Sequence, residues 1–86
     1  MKKIIYAIYD AVSAKYTFIG IADSENLLVR DLSIVVNSGD KASILVNAPE
    51  DHKCYLLGFI DNENAHVEIC EKKLITELRD LKHGQD

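Results

Sequence analysis

The chain predicts a small α+β domain: a mainly antiparallel sheet of about four strands, in the order β-β-α-β-β-α, with helices packed on one face. Three observations predict it. Two short β-branched and aromatic runs open the chain, Ile4 to Tyr9 and Tyr16 to Ile21. A capped, helically spaced apolar stretch begins at Asp23-Ser24-Glu25. Two further apolar runs, Cys54 to Ile60 and Ala65 to Cys70, flank an acid-and-amide turn. At 86 residues this is one domain over 1–86. Such a chain buries only roughly 60% of its unfolded surface. Its 48% apolar content builds a core, and dimerisation is a natural supplement to it.

Ile4 to Tyr9 and Tyr16 to Ile21 read as paired strands, joined by residues 10–15. Each is apolar on both faces, so each is expected to be central in a sheet or covered on both sides. Gly20 marks a bulge or a close approach. In the helix, Leu28, Leu32, Val35 and Val36 face the sheet, and Asn37-Ser38-Gly39 ends it, with Gly39 free to turn left-handed. Ser43 to Val46 reads as a turn of helix or a short edge segment, and the residue before Pro49 is biased to extended geometry.

In the second hairpin, closure by Asp61 and Asn64 opposes Ile60 to Ala65, Gly58 to Val67 and Leu56 to Ile69, a wholly apolar core face. The other face pairs Phe59 with His66, Leu57 with Glu68, and Tyr55 with Cys70. A slip of one residue would alter every pair. Glu71 to His83 reads as a closing helix with Leu74, Ile75, Leu78 and Leu81 as its stripe, before a frayed tail at 84–86.

The net charge is −4, and the whole excess lies in residues 44–86, with five Lys or Arg against nine Asp or Glu. Phosphate neutralisation supplies most non-specific nucleic-acid affinity, so a strong generic DNA binder is disfavoured. A local basic patch is compatible with these counts. No tract approaches the roughly 20 apolar residues of a membrane helix. Met1 to Ile8 superficially resembles a signal peptide, but Tyr6, Tyr9 and Asp10 interrupt it. It reads as a first strand, which implies a cytoplasmic protein.

His52, Cys54, His66 and Cys70 invite a zinc reading. The predicted register points His52 and Cys54 one way and His66 and Cys70 the other, so no metal is expected. Asp10, Glu50, Asp51 and Asp61 sit at strand ends or turns, where acids are common for backbone reasons. No phosphate loop, nucleophile elbow or metal-binding helix pair surrounds them, so neither enzyme activity nor a cofactor is expected. Arg30 beside Asp31 is a solvated charge or a phosphate contact. Lys72, Thr76, Arg79 and His83 would share one face of the last helix. Tyr55, Leu57 and Phe59, beside His66, would either stack nucleotide bases or be covered by a helix or a second subunit.

Four segments together resemble the small nonstructural proteins of gokushoviruses, single-stranded-DNA phages of the Microviridae: Tyr6 to Asp10; Leu28 to Leu32 with Val36-Asn37; Pro49-Glu50-Asp51 with Tyr55; and Leu57 to Asp61. Order and spacing agree over about residues 4–61. The chain departs from the family pattern at His52, often Tyr there, at Leu32, often Phe, and at the 62–64 turn and the tail. The resemblance implies a nonstructural accessory protein of the host cytoplasm, acting in genome replication or packaging and contacting single-stranded DNA weakly and salt-dependently. Its family-motif residues here are Asp10, Asn37, Pro49, Glu50, Asp51, Gly58 and Asp61, several of them structural. Arg30, Lys41, Tyr55, Leu57, Phe59 and His66 are the expected contacts to DNA or a partner. The alternative is a homodimeric protein-interaction module that binds a phage replication or capsid protein, or a host factor, without DNA. In either case Cys54 and Cys70 should titrate as two free thiols in denaturant, at least one slow to react in the native state. A disulfide between them would overturn the predicted register.

Overall fold

The computed structural model describes residues 1–83; the tail expected at 84–86 lies outside them. The chain runs through strands β1 (Lys2–Asp10) and β2 (Lys15–Ala22), helix α1 (Glu25–Val36) and the single turn α2 (Ile44–Asn47). A 3₁₀ turn at Pro49–Asp51 leads into β3 (His52–Asp61) and β4 (Val67–Glu77), and a second 3₁₀ turn, Leu78–Leu81, follows. The sheet is antiparallel in the order β2-β1-β3-β4. The expected α+β class, four strands and helical cover stand. No helix among the described residues is long and apolar enough to cross a membrane.

Local chemistry explains the helix. The Ser24 hydroxyl accepts from the Leu27 N–H at 3.2 Å and Glu25 sits in the positively polarised first turn. Leu28, Leu32 and Val36 bury one stripe against Ile4, Ile8, Leu45, Cys54, Leu56 and Leu78. Asn37 closes the end. Its side-chain amide donates to the Ser33 and Leu81 carbonyls, both at 2.8 Å, while its Oδ1 accepts the His83 N–H at 2.8 Å. One side chain thus ties α1 to the last turn of the chain. Gly39 follows at φ 77°, the left-handed geometry its position predicts.

The closing helix expected at Glu71 to His83 does not form. Residues through Glu77 extend β4, and only Leu78–Leu81 coil. Leu78 and Leu81 still reach the core and Ile75 packs beside it, whereas Leu74 is 45% exposed on the sheet. Pairing with the long β3 outweighs the helical spacing, since tertiary context overrides propensity.

The hairpin register is also two residues away from expectation, with Ile60 opposite Val67, Phe59 opposite Glu68 and Gly58 opposite Ile69. The turn is longer than four residues because Ala65 adopts φ 61° and donates to the Asp61 carbonyl at 2.8 Å. The Asp61 and Asn64 side chains accept the Glu63 and His66 N–H groups, each at 2.9 Å. Beyond it Leu57 bulges out of both ladders: β1 steps from Gly58 to Leu56, and so does β4. The bulge reverses the alternation of β3. Phe59 packs with the core cluster beside its partner Ile4, and Gly58 lies between Ile5 and the 76%-exposed Ile69 on the open face. Leu56, Gly58 and Ile60 therefore do not share the core face, and Tyr55, Leu57 and Phe59 do not share the other.

β1 is central, as its two apolar faces require, but β2 is an edge strand whose Ile19 and Ile21 are 71% and 55% exposed. The expectation that β2 is central or covered on both sides fails in this chain by itself.

Asn37→Ala leaves the Leu81 carbonyl and the His83 N–H without their partner, at about 1 kcal/mol each, while the Ser33 carbonyl keeps the backbone N–H of residue 37. A melting point lower by roughly 10 °C is expected. Gly58→Ala drives a Cβ into the Glu68 carbonyl oxygen, with the Ile69 Cα 3.1 Å away, and should destabilise by about 1–3 kcal/mol in urea unfolding. Stability should also fall with acid. Asp10 is penalised by burial, but N–H groups of Val12 and Ser13 and the nearby His52 outweigh that and lower its pKa. The Glu63 N–H lowers Asp61, and the hydrogen bond from Lys2 lowers Glu68. Folded values below the ordinary 3.8 and 4.5 give stability that is complete above those values and lost as pH falls through them. Urea midpoints from about pH 6 to pH 3 should show that decline.

Candidate nucleic-acid interface

The helices cover one face of the sheet, and the other stands open. Its rows follow from the ladders. Ile21, Ile5, Gly58 and Ile69 form one row across four strands. Ile19, Ala7, Tyr55 and Leu74 form the next. Tyr16, Tyr9, Lys53 and Glu77 follow. Two apolar rows thus give way to a tyrosine-and-charge row at one end.

That end is organised. The Tyr9 and Tyr16 rings lie 5.0 Å apart, tilted by 57°, and Tyr16 meets Tyr55 edge-on at 6.3 Å. Lys72 reaches across from β4: its Nζ donates to the Tyr16 hydroxyl at 2.7 Å and sits 4.7 Å from the Tyr55 ring centre and 5.5 Å from that of Tyr16. The hydrogen bond to Tyr16, against a smaller desolvation cost, raises the Lys72 pKa, so its ammonium stays charged. The arrangement offers aromatic faces beside a cation.

Of the residues expected to make contacts, Tyr55 alone lies in this cluster. Leu57 occupies the bulge, and Phe59 packs with the core. His66 is in the exposed turn between β3 and β4, Lys41 in the loop before α2, and Arg30 on the outer side of α1. Arg30 lines a groove of about 420 Å³ between α1 and β2 with Lys3 and Tyr6. Both cations there are already paired, Lys3 with Asp23 at 3.0 Å and Arg30 with Asp31 at 3.5 Å. The sequence does not single out Tyr9 and Tyr16 as contacts, and it groups Lys72 with Thr76, Arg79 and His83 on a helix face that does not form. Tyr9 and Tyr16 flank the first turn at positions that pair in a hairpin, a usable signal, whereas Lys72 was hidden by the helical reading of its segment.

The family-motif residues mostly shape the chain. Pro49 is buried at the start of the 3₁₀ turn, the Asp51 carbonyl accepts the Ala11 N–H at 2.9 Å, Asp10 Oδ1 accepts the Val12 N–H at 2.9 Å, and Glu50 is exposed. Asp61 holds the turn, and Gly58 admits β4. His52, 1% exposed, belongs to the same corner. Its Nδ1 bonds the Ala48 carbonyl at 2.8 Å and so carries a proton, while Nε2 lies 4.0 Å from Asp10 Oδ2 and has no hydrogen-bond partner. Cys54 is fully buried two residues on, and desolvation pushes its thiol up to about 12. It is an inert core group. Cys70 is half-buried and also free. His66 and Cys70 lie on the far side of the bulge from His52 and Cys54, so the four do not converge.

Neither a curated protein nor a solved structure gives a match to this chain. A model of the phage ORF5 protein family matches residues 3–81, which takes in every strand core, both helices and the last 3₁₀ turn. Over that span the chain belongs to the phage ORF5 protein family.

Proposed function

We propose that this phage protein is a non-enzymatic accessory factor of the host cytoplasm that contacts single-stranded DNA during genome replication or packaging. The gokushovirus-like motifs favour that setting. The observation that carries the contact is the Tyr9, Tyr16 and Tyr55 cluster with Lys72 laid across it. Base–aromatic stacking is worth about 1–3 kcal/mol per base and tolerates any sequence. Lys72 and Lys53 supply phosphate partners at the same end of the sheet. The local cations answer the difficulty posed by the net charge of −4: affinity is weak, confined to one end, and salt-sensitive.

A second reading, a module for a phage replication or capsid protein or a host factor, is favoured by the exposed apolar rows next to the cluster. Fluorescence anisotropy with a labelled thymidine oligonucleotide separates the two. Binding with Kd around 10⁻⁵ M at low salt, weakening as salt rises, is expected of the DNA reading. Tyr55→Ala should cost roughly tenfold in affinity, and Lys72→Ala should flatten the salt slope by about one unit. Arg30→Ala, off the cluster, should leave both unchanged. No binding at about 100 μM protein in low salt would remove direct DNA contact and leave the second reading.

A further inference from the structure

We infer that a second copy of this chain covers the apolar rows of the open sheet face, making a two-sheet sandwich with the helices outside. Three observations support it. The first is an unmet demand of β2, whose side chains are apolar on both faces although the strand lies at an edge: Ile19 and Ile21 stand 71% and 55% exposed. On the opposite edge Ile69 is 76% and Leu74 45% exposed. Together with Val67, and with the half-buried Ile5 and Tyr55 between the two edges, these side chains present on the order of 600 Å² of apolar surface on one face, against the ~800 Å² per partner of a standard interface.

The second is the shape of the whole molecule. Its Cα radius of gyration is 13.4 Å, against about 12 Å for a compact domain of this length. Its accessible surface is 5578 Å², about a tenth more than the roughly 5100 Å² of a solitary monomer of this mass. The molecule is elongated, 45 × 24 × 21 Å, with more surface for its mass than a compact domain, and sheet-on-sheet packing about 10 Å apart is the standard way to cover an open sheet.

The third is the distribution of charge. The two rows carry no formal charge. Lys3 stands beyond one end of them, and Lys53, Lys72 and Glu77 border the other. An apolar centre inside a charged rim is the anatomy of a protein interface, and Lys72, which reaches in over Tyr55, keeps its hydrogen bond to the Tyr16 hydroxyl there. A two-fold contact also needs no chemistry that this chain lacks, because the same patch serves both sides. Tyr55 belongs both to the second row and to the tyrosine cluster, while Tyr9, Tyr16 and Lys72 stand at the rim; the pairing rests on the exposed isoleucines and not on the DNA reading.

Size-exclusion chromatography with light scattering, run on the full chain from about 100 μM down to about 1 μM, tests the inference. The expected result is a mass near twice the 9.7 kDa of one chain at the high end. Ile69→Asp and Ile19→Asp, on opposite edges, should each give monomers with the wild-type far-ultraviolet circular dichroism. Ile34→Asp, exposed on α1, should leave the dimer intact. Amide hydrogen exchange of the wild type should speed up on dilution along β2 and β4 and not along α1, which decides the matter even if a variant unfolds. A wild-type monomer throughout the range would overturn the inference and leave the face to DNA or another protein. Dimers that persist in both sheet variants, or exchange that changes along α1 alone, would overturn it in favour of a different surface.

Discussion

Gly58 and the bulge beside it govern what every other part of this structure can do. β4 approaches so closely at Gly58 that no side chain fits there, and Leu57, the next residue back, drops out of the ladders on both sides. A strand that loses one residue from its pairing exchanges its faces. Before the bulge, His52, Cys54 and Leu56 face the helices. After it, Phe59 does so and Gly58 turns to the open side. β3 is a central strand, so its switch sets how both neighbours pack. The core of Ile4, Ile8, Leu28, Leu32, Val36, Cys54, Leu56 and Leu78 exists because the strand serves it from both sides of that step.

The rest of the domain is held by polar closures at its two ends. At one end the Asp10, Asp51 and His52 corner joins the end of β1 to the start of β3. Asn37 joins α1 to the last 3₁₀ turn, which seats Leu78 in the core without the length of helix that the stripe of leucines suggests. The motif residues Asp10, Asn37, Pro49 and Asp51 belong to these closures. Asn37, Pro49, Asp51, Gly58 and Asp61 mark how the chain folds, and the side chains exposed on the open sheet face are drawn from other residues.

That surface has two chemistries on one sheet. In each apolar row one central-strand position is small, Gly58 or Ala7, and the other is bulky, Ile5 or Tyr55, with bulky residues at both edges. The tyrosine end keeps a lysine poised over rings. Apolar burial is non-directional and favours a large partner, whereas aromatic faces beside a cation favour flat, anionic ligands. The two chemistries meet at Tyr55, which lies in the second apolar row and in the tyrosine cluster.

What the amino-acid order determined by itself is local. The Ser24 cap and the Leu28, Leu32 and Val36 stripe specify α1. Gly39 specifies its exit, and the apolar runs specify β1, β2, β3 and the first part of β4. These follow from backbone preference and nearest-neighbour spacing, which are legible along the chain. Tertiary structure decided the rest. Leu74, Ile75, Leu78 and Leu81 satisfy helical spacing and a strand-then-turn equally well, and only the presence of β3 alongside selects the strand. The hairpin register rests on Ala65 taking a left-handed conformation, which an alanine does not announce. The bulge at Leu57 arises from three strands meeting at once, so no single segment encodes it. The tyrosine cluster depends on all of these, since Tyr9, Tyr16, Tyr55 and Lys72 come from four strands and are neighbours only after the register is set.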